Sequence, residues 1–467
     1  MKMAVRVLTL AEVEQGAAPC QVHGNAGPDL AFANVVHDSR LVVPGSLFVA
    51  LKGERDGLNF VTDAVARGAS GIIGERLLPE SQWLERAGGR PVAFITVDDS
   101  LRALQRLARW WRGRQDVEVV GITGSVGKTS TKEVVAGVLG RRFRVLKNEK
   151  NYNNEIGLPL TLLQLDGTYQ KAVLEMGMYG LGEIRDLCAL ALPTVGVVTN
   201  VGPVHLERLG TIENIALAKS ELVAALPSSG LAVLNGDDHR VRAMAERTPA
   251  GSVFYGFAED CRVRASEVES LGLEGVRFTL HALGREARVS LRLAGRHNVY
   301  NALAGAAVGF ASGLDWDEVL EGLASLSSGL RLVVVPGRGD SNIIDDTYNA
   351  SPASMLAALD LLGQLPGQRT AILGDMLELG SYEEEGHREV GRRAAEVVQR
   401  LVAVGPRARL IGEAATESGL ADVTYAPDSE AVTYEPHAGE HVLVKGSRSM
   451  FMEKVVEKLR AGRERDR

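Results

Sequence analysis

The chain has 467 residues, with 45% hydrophobic and 24% charged side chains and a formal net charge of -7. This length is too great for one hydrophobic core, so we expect about three domains. The acidic balance gives no sign of a nucleic-acid partner, and no apolar run reaches the roughly 20 residues that cross a bilayer. Cys20, Cys188 and Cys261 are scattered without metal-ligand spacing, and the first residues lack a signal-peptide core. The composition therefore predicts a soluble, cytoplasmic α/β protein.

Residues 1–112 are predicted to form a small α/β domain that ends in the helical pattern of residues 100–114. The next region, 113–328, alternates short β-branched runs with helical patterns, which is typical of a parallel, doubly wound sheet. Its predicted strands are residues 117–123, 171–178, 195–201 and 231–237. The predicted helices are residues 128–142, 182–191, 211–226 and 239–247.

Residues 329–467 repeat the alternation and predict a second αβα domain, of Rossmann-like type. Its predicted strands, each followed by a helix, are residues 342–347, 369–374, 400–405 and 441–446. The segment 324–337 contains several serines and glycines and is the predicted hinge between the second and third domains.

A glycine-rich stretch, GITGSVGKTSTKE (121–133), lies between the first strand and helix of the central region. Such a turn aims backbone N–H groups at phosphate oxygens, with Lys128 as a point charge and Thr129 as a Mg²⁺ ligand. The common phosphate-loop spacing would place a glycine at 122, which is isoleucine here. The alternative is a chance glycine-rich turn, but strand, loop, Lys-Thr and helix all occur in order.

Three further side chains of the central region are candidates for chemistry. Glu175 ends a predicted strand, at the edge where doubly wound sheets bind ligands, and is either a Mg²⁺ ligand or a cap of the next turn. His205 follows another strand, and a solitary histidine is more often structural than a ligand. Lys219 lies in an apolar helical pattern, where a lysine usually extends to solvent or pairs with an acid.

Two later stretches place polar side chains at the start of predicted helices, where they either cap the helix or contact a nucleotide. These side chains are Asn298, Asn301, Asp345, Asp346, Asn349 and Ser351. A third stretch, EEEGHREV (383–390), predicts a solvated acidic first turn of a helix, and the role of His387 stays open.

Together these stretches resemble the Mur ligase family of ATP-dependent amide-forming enzymes, which includes the folylpolyglutamate synthetases. The loop of that family is G-x-T-G-x-x-G-K-T, and the residues from Gly121 to Thr129 fill it. The resemblance covers nearly the whole chain; its other segments are 37–57, 150–163, 174–184, 199–222, 295–304, 343–359, 371–380 and 442–453. One departure is Leu58, which stands where the family's amino-terminal D-G-H-x-F motif has histidine.

The resemblance implies a role for each matched position. For ATP binding it implies Thr123, Gly124, Ser125, Val126, Gly127, Lys128, Thr129, Ser130, Asn298, Arg331 and Asp346. For one Mg²⁺ it implies Thr129 and Glu175, and for a second His205 and Lys219, the latter aligned with a lysine that is carboxylated in several members. For the substrates it implies Ser39, Arg40, Asn153, Asn154, Asn349 and Ser351. The catalytic residues would be Lys128, Glu175, His205 and Lys219.

The resemblance also implies a reaction. The segments 345–352 and 374–380 favour the members that add D-alanyl-D-alanine to UDP-N-acetylmuramoyl-tripeptide, through an acyl phosphate, in peptidoglycan synthesis. ATP and Mg²⁺ would be the cofactors, the protein would act as a cytoplasmic monomer, and neither nucleic acid nor membrane would be involved. The alternatives are another amide ligase of the same fold, or a nucleotide-switched binding protein that uses the loop to control a partner.

Overall fold

The computed structural model describes residues 8–149, 151–326 and 333–460. These residues belong to two compact units. The first unit comprises Met1–Gly121, Phe143–Met178 and Glu183–Thr194, and the second comprises Ile122–Arg142, Tyr179–Gly182 and Val195–Arg467. Arg331 and the middle of the predicted hinge, residues 327–332, lie outside the described residues.

In the part of the first unit that the structure describes, five strands form one sheet, in which all neighbours are parallel except the first pair. Their order is Cys20–Gly24, Ala93–Val97, Gly71–Gly74, Leu47–Val49, Val35–Val36. Phe48, Ile72 and Phe94 pack in the core beside this sheet, and Leu58 belongs to the same core. The residue that replaces the family's histidine is therefore a packing residue.

The first unit also contains three strands in the order Glu118–Thr123, Lys171–Glu175, Val145–Lys147, the first of which continues into the second unit by two residues. The short strands Leu8–Thr9 and Ala31–Phe32 pair with each other. The helices described in this unit are Leu10–Ala17, Val61–Ala66, Glu80–Trp83, Ser100–Arg112, Gly157–Leu162 and Glu183–Ala191.

The second unit begins its sheet with parallel strands and ends it with an antiparallel ribbon. The strands are, in order, Val195–Val198, Leu231–Asn235, Gly251–Gly256, Val263–Ser270, Val276–Ala282 and Arg285–Leu291. The helices of this part are Lys128–Leu139, Leu206–Leu209, Ile212–Ala224, His239–Arg242, His297–Ala311 and Trp316–Ala324.

Residues 333–460 add a second sheet to this unit, with six strands in the described range. Their order is Val333–Pro336, Asn342–Asp345, His441–Lys445, Arg369–Gly374, Arg400–Val404, Val423–Ala426, and all neighbours but the first pair are parallel. The helices are Pro352–Gly363, Glu383–Val397, Arg409–Glu417 and Glu453–Leu459.

The predicted α/β class with parallel sheets is confirmed. The strand at residues 369–374 has the predicted bounds, and other predicted strands end one to three residues early because their last residues form the turns that carry polar side chains. No helix in the described ranges is both long enough and apolar enough to cross a membrane. The boundaries at 112 and 328 stay predictions.

Candidate functional site

The glycine-rich loop of the second unit has a backbone that only glycine adopts easily. It connects the strand end at Thr123 to the helix that begins at Lys128. Gly124 has φ 148° and Gly127 has φ 87°, in the region that side chains disfavour. A Cβ on Gly124 would lie 1.9 Å from the Oγ1 of Thr199. The glycine spacing therefore follows from the geometry of this turn.

The loop is held in place by the turn that follows strand Val195–Val198. The N–H of Val126 donates to Oδ1 of Asn200 at 2.9 Å, and Nδ2 of Asn200 and Oγ1 of Thr199 both donate to the carbonyl of Val126, at 2.9 and 2.7 Å. The N–H of Ser125 donates to the carbonyl of Asn200 at 2.9 Å. The loop is therefore pre-organised, as an anion-binding turn must be if binding is to cost little reorganisation.

We expect Gly124→Ala to lower the midpoint of urea unfolding and to destabilise the protein by about 1–3 kcal/mol or more, because strain at φ 148° adds to the clash with Thr199. Gly210→Ala is the matched control, since Gly210 also has a positive φ, 76°, but an added Cβ would meet nothing within 4 Å. Equal losses in the two variants would contradict the close packing of the loop.

Lys128 is the first residue of the helix, and its ammonium group bends back over the loop. Its Nζ donates to the carbonyl of Gly124 at 2.8 Å and to that of Ser125 at 3.2 Å. Thr129 and Ser130 complete the first turn, where backbone N–H groups and the helix dipole favour a bound anion. The loop thus presents a positive charge and a helix start on the same side, which suits a polyphosphate.

Asn298 and Asn301 link the helix His297–Ala311 to the helix that follows the loop. Oγ1 of Thr131 donates to Oδ1 of Asn301 at 2.9 Å, and Nδ2 of Asn301 donates to Oδ1 of Asn298 at 2.8 Å. Nδ2 of Asn298 donates to the carbonyl of Ala294 at 2.7 Å. Both asparagines are buried, so the structure gives them a positioning role beside the loop.

Asp346, from the second sheet of this unit, is held by a buried lysine. Nζ of Lys445 lies 2.7 Å from Oδ2 of Asp346 and donates to the carbonyl of Asn349 at 2.7 Å. Although the His297 side chain keeps contact with solvent, desolvation by the surrounding protein lowers its pKa, and the nearby Asp346 carboxylate raises it in part. The structure therefore brings Asp346 close to the start of the Asn298 helix.

Ser351 and Asn349 have local partners. Ser351 is the N-cap of the helix Pro352–Gly363 and forms a capping box with Ser354. Oδ1 of Asn349 accepts a hydrogen bond from the N–H of Ala350 at 2.9 Å. The capping role predicted as an alternative for Ser351 is confirmed, and its role toward a substrate stays a prediction.

Lys219 lies in the middle of the helix Ile212–Ala224, with only 2% of its surface exposed. Burial lowers its pKa well below the usual value, and the positive charge of Lys128 lowers it further. The expectation that a lysine here extends to solvent is wrong. A buried amine beside another cation favours the neutral form, which is the form that reacts with CO₂.

His205 has a left-handed backbone, with φ 57°. Its Nδ1 lies 2.5 Å from Oε2 of Glu378, and its ring meets the ring of Tyr179 edge-on at 5.2 Å. Burial lowers the pKa of His205 more than the Glu378 carboxylate raises it, and Lys128 and Lys219 lower it further. The ring is therefore neutral, with Nδ1–H donating to the carboxylate and a lone pair left on Nε2.

Glu175, in the first unit, is the last residue of its strand and is 3% exposed. Nδ2 of Asn153 donates to its Oε1 at 2.8 Å. Asn148, which the sequence analysis did not single out, holds the Glu175 backbone on both sides, through Oδ1 at 2.9 Å and Nδ2 at 3.0 Å. Oδ1 of Asn154 accepts from the N–H of Gly157, the first residue of the next helix, at 2.9 Å.

Ser39 and Arg40 lie in a short turn of the first unit, Ser39–Leu41, that Asp38 caps. The Arg40 side chain is exposed and pairs with Asp38 at 2.7 Å. The Ser39 hydroxyl hydrogen-bonds the carboxylate of Asp63 and lowers the pKa of that group. The turn leaves the Arg40 guanidinium accessible to a ligand.

His387, whose role the sequence left open, is a structural residue. Its Nε2 accepts from the N–H of Met376 at 3.0 Å, and its Nδ1 donates to the carbonyl of Glu383 at 2.7 Å. Burial lowers its pKa. The helix around it does begin with an acidic turn, as predicted.

The donor atoms at the predicted metal positions fit Mg²⁺. Among the described residues, no group of three or more His, Cys, Asp or Glu side chains is arranged as a metal cage. Mg²⁺ usually takes only one or two protein ligands and completes its shell with water and substrate phosphates. The hydroxyl of Thr129 and the carboxylate of Glu175 offer oxygen donors of the kind that Mg²⁺ prefers, and Nε2 of His205 offers a nitrogen donor; the assignment of these atoms as ligands stays a prediction.

The sequence matches two domain families: the Mur ligase middle domain, over residues 122–309, and the Mur ligase, glutamate ligase domain, over residues 330–448. A UDP-N-acetylmuramoyl-tripeptide–D-alanyl-D-alanine ligase from Synechocystis is 37% identical over 453 residues, which is 94% of either chain.

Solved structures agree with the sequence matches. MurF from Acinetobacter baumannii has a TM-score of 0.84 and 31% identity, covering 97% of this chain and 98% of its own. MurF ligase from Thermotoga maritima, determined in complex with ADP, has a TM-score of 0.76 and 32% identity, covering 91% of this chain and 96% of its own. The similarity therefore extends over almost the entire chain.

Proposed function

The chain belongs to the Mur ligase family, and on this premise we propose that it joins D-alanyl-D-alanine to UDP-N-acetylmuramoyl-tripeptide, with cleavage of ATP to ADP and phosphate. The observation that carries the proposal is the pre-organised loop with the Lys128 ammonium group above it, 2.8 Å from the carbonyl of Gly124. The similarity to tripeptide–dipeptide ligases over 94% of the chain supports the choice of substrates.

The chemistry begins with the terminal carboxylate of the tripeptide, which does not condense with an amine at neutral pH. Its oxygen attacks the γ-phosphorus of ATP, ADP leaves, and an acyl phosphate forms. This step crowds anionic oxygens together, so fixed cations stabilise its transition state. We assign this role to Lys128 and to the helix start at Thr129 and Ser130, with Asn298, Arg331 and Asp346 placing the nucleotide.

Mg²⁺ is part of the proposal. Thr129 and Glu175 would hold one ion and His205 and a carboxylated Lys219 a second; when bound, the ions screen the phosphate charges. The buried, neutral amine of Lys219 suits carboxylation, because a carbamate replaces the amine with anionic oxygen ligands.

In the second half-reaction, the amine of D-alanyl-D-alanine attacks the acyl carbon, and phosphate leaves from the tetrahedral intermediate. We propose that Ser39, Arg40, Asn153, Asn154, Asn349 and Ser351 contact the substrates. Residues 1–112, 113–328 and 329–467 would form the UDP-substrate, ATP and ligase domains. The enzyme would act as a cytoplasmic monomer.

Phosphate release tests the proposal. We expect rapid release of phosphate with ATP, Mg²⁺, UDP-N-acetylmuramoyl-tripeptide and D-alanyl-D-alanine together. Little phosphate should be released when either the tripeptide or the dipeptide is omitted. Replacing the dipeptide with single amino acids, or the tripeptide with folylglutamate, provides the control for other ligases of this fold. Equal release with those substitutes, or release that needs a partner protein, would contradict the proposal.

A further inference from the structure

A turn at the edge of the second sheet, residues 374–380, is fixed by hydrogen bonds on both sides. The N–H of Met376 donates to Nε2 of His387 at 3.0 Å, and the N–H of Leu377 donates to Oγ of Ser447 at 2.9 Å. The N–H of Ser447 in turn donates to the carbonyl of Asp375 at 3.0 Å. Two separate segments of the chain therefore hold this turn in one conformation.

The same turn lies directly against the helix that begins after His205. Gly380, with φ 53°, approaches so closely that a Cβ there would lie 2.8 Å from the backbone nitrogen of Glu207. Glu378 and His205, whose side chains meet at 2.5 Å, both have left-handed backbones, with φ 64° and 57°. Such conformations are sparsely populated outside glycine and concentrate where the surrounding structure requires them.

The charges around His205 give the Glu378 carboxylate a role in binding a metal ion at this histidine. Lys128 acts on the His205 ring as a positive charge, and the Glu378 carboxylate acts on it as an opposing negative charge. The Lys128 cation would repel a metal ion from Nε2, and the Glu378 carboxylate offsets part of that repulsion. In metal sites generally, a carboxylate on the far nitrogen of a histidine fixes its tautomer and makes it a better ligand.

We propose that Glu378 is a positioning residue for a divalent cation: its carboxylate accepts the Nδ1–H of His205, fixes the Nδ1-protonated tautomer and presents Nε2 to the ion. This inference rests on the proposed function, in which His205 is a metal ligand, and extends it to a residue outside the predicted site. It also makes the cation site depend on both matched regions, since His205 lies in the middle domain match and Glu378 in the ligase domain match.

The test measures Mn²⁺ binding to the full chain in the presence of ADP, by titration calorimetry and electron paramagnetic resonance. In Glu378→Ala we expect one class of Mn²⁺, the ion at His205, to lose affinity by about 10–100-fold, with the urea midpoint and the other class little changed. Glu207→Gln is the control, because it removes one exposed carboxylate two residues from His205. It should change Mn²⁺ affinity by less than about 3-fold, as a screened surface charge does.

A second readout separates positioning from mere packing. Nitrogen-15 spectra of ring-labelled histidine should show the Nδ1-protonated tautomer of His205 in the wild type and its loss in Glu378→Ala. Glu378→Gln keeps an acceptor oxygen without the charge, so it should retain the tautomer and lose less Mn²⁺ affinity. If the alanine variant does not fold, the comparison of Glu378→Gln with Glu207→Gln decides in its place.

Unchanged Mn²⁺ affinity in the folded Glu378 variants, or the same tautomer in wild type and Glu378→Ala, would overturn the proposal. Both measurements use only Mn²⁺ and ADP. A wild type that binds Mn²⁺ and ADP but does not ligate D-alanyl-D-alanine would refute the proposed substrates without affecting this test, so the two failures can be told apart.

Discussion

Lys128→Ala should reduce dipeptide-dependent phosphate release by at least about 10²–10³-fold while leaving the fold intact. The lysine ammonium group donates to two loop carbonyls, at 2.8 and 3.2 Å, and in the proposed mechanism its charge acts on the transferring phosphate. The loss should therefore appear in kcat, because the interaction strengthens as charge develops in the transition state.

Lys454→Ala is the matched control for this variant. Lys454 is an exposed lysine that pairs with Glu430 at 2.6 Å on the surface, and its loss should leave turnover within about 2-fold, as expected of a surface ion pair. Circular dichroism and the urea midpoint establish that both variants fold. Near-normal turnover in a folded Lys128→Ala protein would mean that the loop does not serve phosphate transfer.

Lys219→Met should abolish turnover to a similar extent without destabilising the protein. The methionine matches the length of the lysine stem, and an apolar side chain at this buried position carries no cost for removing a polar amine from water. Turnover should fall by at least about 10²-fold, because the variant has no amine to become a carbamate and to bind Mg²⁺. Carbon-13 spectra with labelled CO₂ should show a carbamate signal in the wild type and none in the variant.

The lowered pKa of Lys219 also predicts in which direction the stability of the protein changes with pH. An unfolded lysine has a pKa of about 10.4, and burial lowers the pKa of folded Lys219 well below it. Between the two pKa values unfolding takes up a proton, so the wild type gains stability as pH rises toward the unfolded pKa.

In CO₂-free buffer, the free energy of unfolding of the wild type minus that of Lys219→Met should therefore rise as the pH increases toward about 10. Lys454→Met, at an exposed position, should show no such rise. A flat difference for Lys219→Met would contradict the neutral buried amine, and a stability loss with normal turnover would make Lys219 a packing residue.

The parallel strands and the loop were predictable because their signals are local. Residues 369–374 do not alternate between buried and exposed side chains. All of them after the first are buried, which is the pattern of a strand covered on both faces. The loop at Gly124 was likewise predicted from adjacent residues, since strand, turn and helix start lie within about a dozen positions of one another.

The antiparallel ribbon at residues 276–291 was not predicted, because its turn lacks the usual signal. Leu283 and Gly284 form a two-residue loop with φ 51° and 71°, for which Asn-Gly is the common sequence. A leucine at the first position gives no such signal. Residue-level propensity could not identify this hairpin, although tertiary packing stabilises it.

The role of Glu378 was unpredictable for a different reason: its partner His205 is 173 residues away in the sequence. The segment around it was recognised as a motif of the family, yet a single glutamate in a turn is usually solvated. The glycines at 374 and 380 are a usable signal, since both permit close approach of neighbouring backbone. Asn148 and Lys445 were missed similarly, because each acts by holding another predicted residue.

Isotope transfer tests the central claim, activation of a carboxylate by ATP before amide formation, most directly. UDP-N-acetylmuramoyl-tripeptide is labelled with ¹⁸O in its terminal carboxyl group. The labelled substrate is then incubated with the enzyme, ATP, Mg²⁺ and D-alanyl-D-alanine. If the carboxylate oxygen attacks the γ-phosphorus and later leaves with it, each released phosphate carries one ¹⁸O from the carboxyl group. Phosphate released without ¹⁸O while the pentapeptide product accumulates would contradict the acyl-phosphate route.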